Sequence, residues 1–477
     1  MRSGVVFDPA TGQQQAHVDL AATGEVDQAV AAARAAFAAW RQSSLARRAE
    51  VMFAFREQVA ANRRELAAAI CLEHGKVMGD ALGEVARGLE NIEFACGVPA
   101  LLRGSYSEQV STGVDVHSIR QPLGVVAGIT PFNFPAMVPL WMFTTALACG
   151  NTFVLKPSEK VPSASLLLAQ WLQDAGLPDG CFNVVQGDAE AVNRLLSHPD
   201  VAAVSFVGST PVARRIHEQG TLQGKRVQAL GGAKNHMLVL ADADLDVAAD
   251  AAVSAAYGSS GERCMAVSAV LAVDTVADAL VQRIRTRIAA IRVGAASQDG
   301  SDMGPLITAA HRDSVANHVA HAQAQGAVVV VDGREAVPAE GFFLRPSLID
   351  RVRPGMRCYD EEIFGPVLCV VRVADFQTGL ELINANPFGN GAVVFTRDGG
   401  LARRFEYEVQ AGMVGINVAV PVPVSYYSFG GWKASLFGDQ HMYGPEGLNF
   451  FTRAKVVTSR WPVPPASTVD LNFPGSR

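Results

Sequence analysis

The residues best equipped for chemistry lie just past the middle of the chain, in Gly258-Ser259-Ser260-Gly261-Glu262-Arg263-Cys264-Met265-Ala266-Val267. A thiolate is a far stronger nucleophile than a thiol, and an adjacent arginine or a helix start favours it. Cys264 has Arg263 beside it, two glycines ahead of it and an apolar run behind it that reads as helix. The alternative is a small buried hydrophobe, the usual state of a free cysteine. Cys149 in Ala-Leu-Ala-Cys-Gly and Cys369 in Val-Leu-Cys-Val-Val suit that alternative, whereas Cys264 is flanked by charge and glycine.

A second candidate follows the apolar strand Pro122 to Ile129, in Thr130-Pro131-Phe132-Asn133-Phe134-Pro135. Ligands of open α/β sheets sit beyond such carboxyl ends. The Asn133 amide can donate to a developing oxyanion, or equally bond its own backbone in a turn. The next strand ends in Lys156, with Glu159 three residues on. One could donate to and the other accept from the two hydroxyls of a nucleotide ribose; a solvated helix start is the alternative. The strand Ala202 to Val207 runs into Gly208-Ser209-Thr210-Pro211, a glycine turn and a helix with Pro at its first position. Helix-start N–H groups can meet a phosphate, although this is not the GxGxxG fingerprint. In Asp360-Glu361-Glu362-Ile363-Phe364-Gly365-Pro366-Val367 the carboxylates are positioned by an aromatic and a rigid Gly-Pro.

These residues need a large scaffold, and 477 residues imply two large domains. The balance of 49% apolar and 18% charged residues suits a soluble enzyme. A net charge of -6 without a basic block argues against nucleic acid as partner. Seven cysteines without CxxC point to a reducing, cytoplasmic setting rather than a disulfide or zinc framework. No signal peptide or transit segment is visible in the first residues. The uncharged stretch Pro135 to Gly150 is short and holds Pro135 and Pro139, so it reads as a buried helix and not a membrane span.

Four helices between Val26 and Cys96 read as a shell with no visible chemistry. In the third, Leu66, Ile70 and Leu72 are expected to face inward and His74 to be a surface or cap residue. Ser105 to Ile119 is β-prone and polar, either a bridging ribbon or a surface hairpin. Asp242 and Asp244 read as helix caps. His311, His318 and His321 lie on a polar helix with no partner to complete a metal site, so no metal is expected. The tail from Pro462 is proline-rich and expected to be loose.

Together these segments resemble the aldehyde dehydrogenase superfamily, from Asp8-Pro9-Ala10-Thr11 to Trp461. The most specific are Pro131 to Pro135, Phe206-Val207-Gly208-Ser209-Thr210, the Cys264 segment and Glu361 to Val367. The resemblance implies an α/β fold: a Rossmann-type cofactor-binding domain (1–103 and 122–231), an α/β catalytic domain (232–445), and a β oligomerisation arm. That arm would be a ribbon at 104–121 joined by a strand and tail at 446–477. It further implies that Cys264 attacks an aldehyde and Asn133 donates to the oxyanion. NAD would be held by Phe132, Lys156, Glu159, Ser209, Glu362 and Phe364. Glu159 would repel the extra phosphate of the 2′-phosphorylated cofactor. A homodimer or homotetramer is expected.

One departure matters. The family's Glu-Leu-Gly-Gly-Lys run, whose glutamate activates water, reads Ala229-Leu230-Gly231-Gly232-Ala233-Lys234 here, and the glutamate position falls on Leu230 or a neighbour. Neither can be a base. Within the superfamily the chain is similar to the methylmalonate-semialdehyde dehydrogenases, which acylate coenzyme A, through Gly232 to His236, Gly261 to Ala266, Ser428 to Asp439 and Tyr443 to Gly447. This implies oxidation and decarboxylation of methylmalonate or malonate semialdehyde to propionyl- or acetyl-CoA. A non-acylating dehydrogenase releasing free acid is the alternative. Arg263 and Arg120 are expected to hold the substrate carboxylate, unless Arg263 points away or Arg120 bonds across a subunit interface.

Overall fold

The computed structural model describes residues 2–461, so the tail expected to be loose lies outside the described residues. Two largely parallel sheets carry the architecture. The first runs Leu436–Phe437, Arg226–Leu230, Val201–Val207, Val125–Ile129, Thr152–Lys156, Phe182–Val184, with only Leu436–Phe437 antiparallel. Val125–Ile129 and Thr152–Lys156 are buried at every residue, which is why they read as unbroken apolar runs. From Val125–Ile129 the chain adds Thr152–Lys156 on one side and later Val201–Val207 on the other. The reversal opens a crevice between Val125–Ile129 and Val201–Val207, where ligands enter such sheets. Asn133 and Ser209 follow the two strands that flank it.

The second sheet runs Val328–Val331, Ser347–Asp350, Val367–Val373, Val267–Val273, Asn235–Val239, Gly391–Phe395, Met413–Ile416. All pairs but the first are parallel. Cys264 and Glu362 immediately precede two of its central strands, so both lie at its amino edge. The run after Cys264 is therefore strand and not helix. Val267–Val273 is covered on both faces, and such a strand shows no alternation by which periodicity could separate it from a buried helix.

The amino-terminal helices are Thr23–Trp40, Leu45–Ala61, Arg63–His74 and Met78–Cys96. Leu66 and Ile70 are buried, but Leu72 is 54% exposed; two residues turn a helix by ~200°, so 70 and 72 cannot share a face. His74 is fully buried, contrary to the surface or cap reading. Gly75 takes a φ of 88°, and a Cβ there would lie 2.7 Å from Pro305. The chain thus turns sharply at a position only glycine suits, bringing His74 and Lys76 inside.

Met137–Ala148 is buried along its whole length, as its uncharged sequence requires. Among the described residues no helix is long and apolar enough to cross a membrane. A third, antiparallel sheet pairs Thr452–Arg460 with Val114–Pro122, which in turn pairs with Tyr106–Ser111. Its two outer strands are mostly exposed.

Trp141 joins Met137–Ala148 to the carboxyl-terminal segment, with its ring 4.8 Å from that of Phe429 and 5.3 Å from that of Tyr443. It is 2% exposed. Trp141→Ala is expected to cost about 3–5 kcal/mol of stability through the cavity it leaves, read as a lowered midpoint in urea unfolding; an unchanged midpoint would contradict this packing.

Candidate active site

Between the carboxyl edge of the six-stranded sheet and the amino edge of the seven-stranded one lies a cavity of about 610 Å³. It brings together Phe132, Asn133, Lys156, Glu159, Ser209, Cys264, Glu362 and Phe364, residues far apart in sequence. Arg263 and Arg120 are not in its wall.

The loop that presents Cys264 is held under strain. Ser259 and Ser260 take φ values of 52° and 54°, and Gly261 one of 73°. A Cβ on Gly261 would come within 2.3 Å of the Gly365 carbonyl oxygen. Asp80 accepts from the Ser259 N–H at 2.9 Å, and Ser260 Oγ donates to the Gly304 carbonyl at 2.7 Å. The Cys264 carbonyl accepts from Asn235 Nδ2 at 2.9 Å and Asn390 Nδ2 at 3.0 Å. Left-handed non-glycine residues persist where surrounding bonds over-determine them, as here.

Asn133 is 4% exposed. Its Nδ2 donates to the Glu262 carbonyl at 2.9 Å, which leaves the second amide hydrogen for a ligand. Phe132 stacks on His74 with ring centres 6.0 Å apart and meets the edge of Phe364 at 6.0 Å. Glu262 is fully buried, with His74 Nε2 at 3.5 Å and His311 Nε2 at 3.6 Å. Burial pushes its carboxyl up to about 8 and holds both imidazoles below their usual range.

Burial also pushes the Cys264 thiol up to about 12, and the Glu362 carboxylate adds to the effect. Arg263 opposes it only weakly. Arg263 does favour the thiolate, as expected, but desolvation outweighs one guanidinium.

Elsewhere in the cavity wall, Lys156 Nζ lies 3.2 Å from Glu159 Oε2. Ser209, also in the wall, precedes Thr210–Leu222 without capping it through its side chain. Its hydroxyl and the first helical N–H groups remain available to an anion. Glu362 Oε1 accepts from the Ala233 N–H at 2.8 Å. A Cβ on Gly232 would sit 2.2 Å from Glu362 Oε2, so the carboxyl lies against bare backbone. Burial raises this carboxyl to about 7. Buried Lys234 fixes the stretch before it, donating to the carbonyls of Cys358 at 2.6 Å and Glu361 at 2.8 Å. A cavity of this size with a donor and acceptor pair and an open helix start in its wall fits a dinucleotide.

The two arginines are placed otherwise than expected. The Arg263 guanidinium is paired with Asp80 and packs beside Gly258. Arg120 lies in the ribbon sheet, its Nε donating to Thr452 Oγ1 at 2.7 Å. Neither is free to meet a carboxylate beside Cys264 in this arrangement. The strand end that replaces the family's glutamate is apolar and buried, Ala229 facing Phe437 and Leu230 facing Leu436 across the sheet.

Sequence reading missed residues of the helical shell. Asp80, Glu84 and Arg87 all lie on Met78–Cys96. Asp80 holds the cysteine loop, while Glu84 Oε1 accepts from the N–H groups of Ala136 and Met137 at 2.9 and 3.2 Å. Arg87 Nη2 donates to the Pro423 carbonyl at 2.7 Å, which also accepts from the Tyr443 hydroxyl. Positions 80, 84 and 87 share one helical face. A charged stripe on a helix otherwise turned toward apolar neighbours was the signal available.

The family model for the aldehyde dehydrogenase family matches residues 2–457. A malonate-semialdehyde dehydrogenase of Pseudomonas aeruginosa is 55% identical, over 97% of this chain and 94% of its own. The crystal structure of a methylmalonate-semialdehyde dehydrogenase from Oceanimonas doudoroffii superposes with a TM-score of 0.96 at 54% identity, covering 97% of this chain and 96% of its own. A Sinorhizobium meliloti structure, described provisionally as a methylmalonate-semialdehyde dehydrogenase and solved with NAD, gives 0.96 at 46% identity, over 97% and 95% of the two chains.

A half-buried, protonated thiol should react slowly with iodoacetamide at neutral pH. Alkylation of Cys264 is expected to rise continuously with pH to about pH 10, because only the thiolate reacts. Glu362→Gln removes a charge that raises the thiol, so it should speed alkylation above about pH 7, where that carboxyl is ionised. A rate that levels off by pH 8, or no effect of the substitution, would contradict this electrostatic picture.

Proposed function

This chain belongs to the aldehyde dehydrogenase family, and on that footing we propose that it oxidises malonate or methylmalonate semialdehyde with NAD. The acyl group passes to coenzyme A with loss of carbon dioxide. The observation that carries acyl transfer over hydrolysis is the apolar strand end Ala229-Leu230. No carboxylate stands there to activate water. A thiol acceptor is partly ionised near neutral pH without strong base assistance. The names of the relatives from Pseudomonas aeruginosa and Oceanimonas doudoroffii support the same substrates.

The residues of the cavity divide the work. Lys156 and Glu159 bind the adenosine ribose, and Ser209 with the helix start behind it binds the pyrophosphate. Glu362 exchanges the Ala233 N–H for the nicotinamide ribose, and Phe132 and Phe364 flank the ring. The dinucleotide, when bound, supplies the hydride acceptor. Cys264 Sγ attacks the aldehyde carbon, and the free Nδ2–H of Asn133 stabilises the oxyanion, a contribution of about 2.7–4 kcal/mol in comparable sites. Oxidation leaves a thioester on Cys264. With a β-carboxylate the bond to that carboxylate breaks, its electron pair delocalises into the thioester carbonyl, and carbon dioxide leaves. A proton then completes the acetyl or propionyl thioester. The thiolate of coenzyme A attacks this carbonyl and Cys264 departs as the leaving group.

The six-stranded sheet with the helices of 1–103 serves the cofactor, and 232–445 serves catalysis. The ribbon at 104–121, with the strand it pairs within 446–477, serves oligomerisation in a cytoplasmic enzyme. Its outer strands leave unpaired edges that a second copy would cover. Light scattering at micromolar concentration should give a dimer or tetramer; a monomer would remove this role.

The catalytic reading is tested by following NADH from either semialdehyde with and without coenzyme A, and identifying products by mass. A single-turnover burst without coenzyme A and sustained turnover with it, giving acetyl- or propionyl-CoA, is expected. Sustained free-acid formation without coenzyme A would establish the hydrolytic alternative. In the same assay NAD should be used far more efficiently than its 2′-phosphorylated form, because Glu159 repels that phosphate. Equal efficiency would overturn this cofactor assignment.

A further inference from the structure

Lys76 and Glu84 form an ion pair sealed from solvent, with Nζ to Oε2 at 2.8 Å and both side chains fully buried. Such a pair recovers little net stability over an apolar replacement, since the desolvation cost of two charges offsets their attraction. Its partners suggest what it is for. Lys76 Nζ also donates to the backbone carbonyl of Asn133 at 2.6 Å and lies 4.2 Å from the centre of the Phe134 ring. Glu84 Oε1 accepts from the Ala136 and Met137 N–H groups at 2.9 and 3.2 Å. One ion pair therefore grips the segment around Asn133 at its carbonyl, at the next ring and at the start of the following helix. The Asn133 side chain is held independently, by the Glu262 carbonyl at 2.9 Å.

The supports of the clamp are themselves rigid. Gly75 turns the chain where no side chain fits, and that turn sends Lys76 inward. Glu84 projects from Met78–Cys96, whose Asp80, one turn earlier on the same face, holds the Ser259 N–H and Arg263 of the cysteine loop. One helix thus touches both sides of the reacting centre.

We propose that Lys76 and Glu84 are positioning residues for the oxyanion donor, fixing the Asn133 amide relative to Cys264 without touching substrate. The proposal rests on the reading of Asn133 as that donor. Misplacement of a reacting group by about 1 Å can cost on the order of 100-fold in rate.

The test uses the full-length enzyme and pre-steady-state NADH formation from malonate semialdehyde without coenzyme A. Lys76→Met/Glu84→Gln removes both charges together and keeps the acceptor for the Ala136 and Met137 N–H groups. It should slow the burst roughly 10- to 100-fold, with NAD affinity changed less than about twofold and thermal midpoint nearly retained. In an Asn133→Ala background the same pair should add almost nothing, because groups acting as one unit are non-additive. A purely structural role would give a loss that multiplies with that of Asn133→Ala. That result, or a normal burst in the double variant, overturns the proposal. A normal burst in Asn133→Ala alone would instead remove the oxyanion reading on which it stands. Should the double variant fail to fold, Glu84→Asp, which keeps both charges and shortens the reach of the clamp by one methylene, is read the same way. A smaller loss that disappears in the Asn133→Ala background supports the clamp, and a multiplying loss overturns it.

Discussion

A hydrogen bond crosses between the two sheets beside Cys264. Asn133, after a strand of the six-stranded sheet, donates to the carbonyl of Glu262, two residues ahead of Cys264 at the edge of the seven-stranded sheet. The Asn133 amide and the Cys264 thiol thereby share a frame although no covalent segment near them does. The bond is buried, so breaking it would leave a polar group unsatisfied at a cost of about 1–3 kcal/mol. Glu262 suits this place because its raised carboxyl holds a proton at neutral pH. Its otherwise unpartnered Oε2 faces the unpartnered Nε2 of His74. A neutral carboxyl keeps negative charge away from the point where an oxyanion forms.

The same low-dielectric surroundings govern Cys264. Its thiol is kept protonated by burial and by the field of Glu362, while Glu362 itself rests on the Ala233 N–H with a raised carboxyl. In the proposed binding mode a nicotinamide ribose would draw Glu362 off that N–H. On that proposal cofactor binding and the state of Cys264 are linked through one carboxylate lying against the bare backbone of Gly232.

Much of this was legible in the chain, because strand ends followed by glycine, proline or a lone amide place chemistry at one edge of a sheet. Phe132, Asn133, Lys156, Glu159, Ser209, Cys264, Glu362 and Phe364 do meet around one cavity. Three kinds of feature were not legible. The run after Cys264 is a central strand whose continuous burial erases the period that would distinguish it from helix. His74 read as a surface or cap residue at a helix end, yet the Gly75 turn buries it together with Lys76. Arg263 and Arg120 stand at suggestive positions, but their partners Asp80 and Thr452 are 183 and 332 residues away in the chain. Proximity in sequence says where a backbone is, and a long cationic side chain follows the nearest acceptor in space.

The central claim is that an acyl group resides on Cys264 and waits for a thiol, since the strand end at Ala229-Leu230 offers no base for water. Intact-protein and peptide mass spectrometry of the enzyme mixed with NAD and malonate semialdehyde, quenched in acid over a time course, tests it most directly. The account predicts an acyl adduct on the Cys264 peptide that persists without coenzyme A and disappears as acyl-CoA forms when it is added. Unmodified Cys264 throughout, with free acid accumulating in the absence of coenzyme A, would contradict it.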